Sequence, residues 1–89
     1  MALTITKSAW RRLAVIQSTR PQLKAVRLTR CDGKPSCRAG RYQTHDVVIE
    51  LEGHPAVLMT SQVAAELDNQ TLHAPDVRGR RRLRFRHTA

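Results

Sequence analysis

Leu3-Thr4-Ile5-Thr6-Lys7-Ser8-Ala9-Trp10-Arg11-Arg12-Leu13 changes its hydrophobic period part-way along. Leu3 and Ile5 alternate with Thr4 and Thr6, the period of two that suits a short strand with one buried face. Past a cap at Thr6 or Ser8, Ala9, Leu13 and Ile16 recur at helical spacing beside Trp10. Arg11, Arg12 and Gln17 are left for solvent, and Pro21 marks the end of the segment. A strand that feeds an amphipathic helix, followed by mostly strand-like sequence, predicts an α+β fold.

Downstream, Val26 and Leu28 alternate with Arg27 and Thr29, as in a half-exposed strand. The interval from Cys31 to Gly40 holds Asp32-Gly33, Pro35 and Ser36, so both cysteines are expected on a loop. Pairing is expected to resume from Arg41 to Thr44. Val47, Ile49 and Leu51 then alternate with Val48, Glu50 and Glu52 in the clearest strand pattern of the chain. Glu52-Gly53 signals a hairpin into a returning strand from Ala56 to Met59, after which Thr60 or Ser61 caps a short helix carrying Val63, Ala64 and Leu67. Residues 71–74 suit another strand, stopped by Pro75. In residues 82–86, Leu83 and Phe85 face the core while Arg82, Arg84 and Arg86 line the opposite face. The expected product is one small, strand-rich domain over residues 1–89, with one N-terminal helix and one short helix.

Aromatic residues are 3% of the chain against 40% apolar residues, so the core must be built from Val, Leu, Ile and Ala, with Trp10 and Phe85 as its large fillers. Ordering a chain costs about 1.5 kcal/mol per residue, which roughly cancels apolar burial at this length; self-association into a homodimer is therefore expected. The N-terminus has no basic region leading into a long apolar run, and no window approaches the ~20 apolar residues of a membrane span. A cytoplasmic protein with no membrane partner follows. In a reducing compartment two neighbouring thiols read as free, metal-binding or redox-active, and in a secreted chain as a disulfide.

Lys and Arg outnumber Asp and Glu by 16 to 7, and Arg78, Arg80, Arg81, Arg82, Arg84 and Arg86 crowd the final stretch. Arg80, Arg81, Arg82, Arg84 and Arg86 are thus candidates for binding nucleic acid or an acidic protein through phosphates or carboxylates; the bland reading is a soluble sheet face that also blocks edge-to-edge aggregation. His45, His54, His73 and His87 lack the paired spacing of a zinc finger. No phosphate loop, nucleophile elbow or carboxylate pair emerges, so an enzyme is not expected.

The run Cys37-Arg38-Ala39-Gly40-Arg41-Tyr42 keeps a cysteine five residues ahead of a tyrosine, with small residues and a glycine between. With Leu3 to Ala9, Arg12-Leu13, Gly53, Leu67-Asp68 and Thr71-Leu72, it resembles the HesB/IscA-like A-type iron-sulfur carriers over residues 2–86. That family places a closely spaced cysteine pair after the last strand, whereas this sequence runs from Phe85 to Ala89 without one, so only Cys37 is carried over as a ligand position. The resemblance implies a role in iron-sulfur cluster assembly or carriage, with iron-sulfur assembly proteins as partners and an iron-sulfur cluster or iron as cofactor. Cys37 leads and Cys31 is second as metal ligand, and two chains that each brought both would supply the four thiolates of a two-iron centre. Lys34, Arg38 and Arg41 would favour a thiolate at Cys37 if close to it. The alternative is a cofactor-free interaction module that uses the arginine strand.

Overall fold

The computed structural model describes residues 3–77 and 79–88; the side chains at 77, 80 and 81 lie outside the description. In order, the elements are β1 (Thr4–Ile5), α1 (Lys7–Ser18), β2 (Ala25–Cys31), β3 (Lys34–Gly40), β4 (Val47–Ile49), β5 (Ala56–Met59), α2 (Ser61–Glu66), β6 (Gln70–His73), β7 (Asp76–Val77), β8 (Arg80–Arg81) and β9 (Arg84–His87). Two mixed sheets result, ordered β1-β6-β9 and β3-β2-β5-β4, with β7-β8 as a separate two-stranded ribbon. The fold is α+β, as the changing period requires. No helix among the described residues is long and apolar enough to cross a membrane.

Thr6 ends the first strand and starts the helix. Its backbone is extended, its Oγ1 accepts from the Ala9 N–H at 3.2 Å, and its own N–H donates to the Leu72 carbonyl of β6 at 3.0 Å. One residue therefore satisfies an orphan helix donor and ties α1 to the three-stranded sheet. The helical stripe read from the sequence is the buried one: Ala9, Trp10 and Leu13 are all buried, against Val26 and Leu28 of β2, Val57 and Met59 of β5, Leu67 and Leu72. Leu83 and Phe85 pack against this core from the side, with Arg82, Arg84 and Arg86 exposed.

The segment carrying the cysteines departs from expectation. It is no loop but the second half of a hairpin in which β2 and β3 pair from Ala25↔Gly40 to Cys31↔Lys34. Asp32 (φ +52°) and Gly33 (φ +76°) alone make the turn, both in the left-handed region that a tight two-residue connection demands. Pro35 is accommodated because β3 is an edge strand, where a missing N–H leaves no neighbour unpaired. Gly40 allows a close approach: a Cβ there would lie 3.1 Å from the Cβ of Arg27, and one of the two would have to give slightly.

Two further expectations need correction. Residues 41–44 do not resume pairing, and the pattern at Val47, Ile49 and Leu51 yields only a three-residue edge strand with Leu51 exposed. For residues 41–44 the reason is Arg27, which grips the connecting segment. Its Nη1 and Nη2 donate to Asp46 Oδ1 and Oδ2 at 3.1 and 2.5 Å, Nη2 also donates to the Arg41 carbonyl, and Asp46 Oδ2 accepts from the Gln43 N–H at 2.7 Å. Residues 41–46 are held as a strap across the outer face of β2 instead of pairing.

Leu13→Ala should lower unfolding stability by about 2–5 kcal/mol, because it empties a site of zero exposure, while Val15→Ala, on the exposed side of the same helix, should change it by less than about 0.5 kcal/mol in urea titrations. The Arg27 hydrogen bonds hold the Asp46 carboxyl below its ordinary pKa. A depressed folded pKa gives stability that is present above the unfolded carboxylate value and lost as pH falls through the folded one. Thermal unfolding of Asp46→Asn should thus fall well below wild type at pH 7, the gap closing below about pH 4.

Candidate functional site

Strand parity assigns the two sulfurs to different environments. Cys37 lies opposite Leu28, whose side chain is fully buried, so both point from the four-stranded sheet towards α1 and the core. Cys31 lies opposite Lys34, three residues further along β2, and this odd offset places it on the other face, where it is exposed. Three residues of strand span about 10 Å, so the sulfurs are separated along the hairpin as well as across it. The hairpin does not bring Cys31 and Cys37 together, and an intrachain disulfide would need the Cα atoms within about 7 Å. Among the described residues, no group of three or more His, Cys, Asp or Glu side chains is placed to hold a metal ion.

Cys37 lines a cavity of about 400 Å³. Ile16 of α1, Pro35 of β3, Leu83 and Phe85 supply apolar walls, and Arg12, Lys34, Arg82 and Arg84 supply positive charge around it. Burial pushes the thiol up to about 12, so desolvation outweighs the neighbouring cations and Cys37 is a neutral S–H at pH 7. The expectation that Lys34, Arg38 and Arg41 would together favour a thiolate is therefore corrected. Only Lys34 lines this cavity, and it does so from the turn end of the hairpin beside Gly33, although its register opposite Cys31 starts it on the outer face; Arg38 lies opposite Arg27 on that face, and Arg41 borders a different concavity.

That second concavity, about 820 Å³, opens on the outer face of the four-stranded sheet between Ala25, Gly40, Tyr42, Val48 and Leu58. It is the larger of the two but, unlike the smaller one, has no sulfur in its lining. Of the predicted arginines, Arg82 and Arg84 reach the Cys37 cavity while Arg86 does not. The side chains of Arg80 and Arg81, and all of Arg78, lie outside the described residues. Arg84 and Arg86 flank His73 across the β6-β9 ladder, and burial, with their positive charge, lowers the His73 pKa. Arg12 was expected in solvent alone; its place beside the cavity was signalled only by Ile16, one helical turn on along the same stripe.

No family model matches the sequence, and no curated protein matches it. Among solved structures, the chain is similar to the crystal structure of Escherichia coli SufA, a protein involved in biosynthesis of iron-sulfur clusters. The TM-score is 0.80 at 17% identity, over 100% of this chain and 89% of that one. This chain has the SufA-like fold. The likeness agrees with the α+β fold that the sequence suggested, with the N-terminal strand and helix and the terminal strand in the expected order, and not with the expected cysteine loop.

The two thiols should differ sharply in reactivity. With a pKa of about 12, only about one Cys37 in ten thousand is thiolate at pH 8. Pulsed iodoacetamide labelling followed by peptide mass spectrometry should modify Cys31 at least about a hundredfold faster, and 6 M urea should abolish the difference.

Proposed function

We propose that the chain acts in iron-sulfur cluster assembly as a protein that contributes one sulfur, Cys37, to a site whose other donors come from outside the chain. The observation that carries this reading is the position of Cys37: on the SufA-like fold, it is the cysteine that faces inward onto a cavity, while Cys31 faces away. A two-iron centre is held by four ligands, usually thiolates, and the described residues of one chain do not fit that requirement. A cluster or iron ion would be cargo held jointly, by a second copy of the chain, an assembly partner or a small thiol. Arg12, Lys34, Arg82 and Arg84 suit such cargo electrostatically, because thiolate-ligated clusters are anionic.

Binding through a neutral thiol must release its proton, so iron affinity should rise about tenfold per pH unit across the neutral range. Anaerobic reconstitution with iron, sulfide and dithiothreitol tests the assignment. Wild type and Cys31→Ser should take up equal iron and develop visible absorption, and Cys37→Ser should take up none. A colourless wild type, or a Cys37→Ser protein that still colours, contradicts it.

A second reading, a cofactor-free module that binds nucleic acid or an acidic protein, is favoured by the exposed side chains of Arg82, Arg84 and Arg86 beside and along the edge strand β9. Three phosphate contacts would give a log-log salt slope near −2.7 on duplex DNA, lost when the three arginines become glutamine. Tyr42, the single tyrosine, is exposed but borders the other concavity, so no stacking platform adjoins these arginines.

A further inference from the structure

Four cations from three separate parts of the chain border one small cavity. Arg12 comes from α1, Lys34 from the start of β3, and Arg82 and Arg84 from the segment entering β9 and from β9 itself. No acidic residue lines the cavity, and among the described residues none of the four cations is paired with a carboxylate. Elsewhere the chain pairs an arginine that it uses structurally: Arg27 grips Asp46 at 2.5 Å. Four like charges around an apolar floor of Ile16 and Phe85 repel one another, at a cost that a bound anion reverses. Arginine forks match phosphate and carboxylate oxygens two at a time, and the low-dielectric floor strengthens each such hydrogen bond. A volume of about 400 Å³ is that of a small-molecule site rather than a groove for a duplex.

We propose that this cavity binds a small polyanion, a compact molecule bearing two or more phosphate or carboxylate groups, held between Arg12, Lys34, Arg82 and Arg84. The proposal does not rest on iron chemistry at Cys37. It places the anion against that thiol, so that an occupied pocket adds to the burial the sulfur already has.

The test is titration calorimetry of the wild-type chain with pyrophosphate and with citrate at 150 mM salt, with ¹⁵N chemical shifts to locate each ligand. Binding should move the amides of Lys34, Cys37, Arg84 and Phe85, and the tighter of the two probes identifies phosphate or carboxylate as the source. Arg12→Gln and Arg84→Gln should each weaken binding about tenfold or more, the loss expected for one charge-assisted contact, while Arg12→Lys restores part of it. Arg38→Gln, on the outer face, should leave affinity within about twofold. These side chains are exposed, and circular dichroism should show the variants folded. The proposal is overturned if neither probe binds at millimolar concentration, if Arg38→Gln weakens binding as much as Arg84→Gln, or if a DNA oligonucleotide binds through the same arginines without moving the Cys37 and Phe85 amides.

Discussion

Two consecutive residues in left-handed backbone, Asp32 and Gly33, determine what each sulfur of this chain is able to do. A two-residue turn fixes the register of β2 against β3, and register fixes which side chains share a face. With this turn, Val26 and Leu28 are buried and Cys37, paired with Leu28, turns inward with them. Cys31 and Arg38 turn outward. One more residue in the connection would exchange the faces of β3 and put Arg38 where Cys37 now sits, which the apolar floor of Ile16 and Phe85 would not tolerate.

The same hairpin sets the frame for the rest of the sheet. β2 is central, pairing β3 on one side and β5 in parallel on the other, and its outer face is strapped by the Arg27 grip on Asp46 and the Arg41 carbonyl. The inner face receives α1, whose Leu13 has no exposure. Phe85 closes the core beside Cys37, so that β9, the edge of the other sheet, completes the cavity wall. Charge and apolar surface thus meet at one place because three elements do.

Where one element carries its own pattern, the sequence was sufficient. The helical stripe of Ala9 and Leu13, the Thr6 cap, and the alternation of Leu83 and Phe85 with arginines all hold in the structure. Residues 31–40 were misread because Pro35, Ser36 and Gly40 are turn formers by type, and only the sheet order reveals β3 as an edge strand able to contain a proline. Leu51 shows the opposite error, a clean alternation of which only Val47 to Ile49 pairs with β5, leaving Leu51 exposed. The cavity was not legible at all: Arg12, Lys34 and Arg84 are far apart in sequence, and no local period brings them together.

On this SufA-like fold one sulfur faces inward, and cations with no carboxylate partner among the described residues border the same cavity. The assignment of Cys37 rather than Cys31 to this cavity depends on the two thiols occupying opposite faces of one hairpin. Mild diamide oxidation of the native chain, read by non-reducing mass spectrometry of the monomer, tests that placement most directly. No Cys31–Cys37 disulfide should form until denaturant is added, and rapid formation of that bond in the folded monomer would contradict the account.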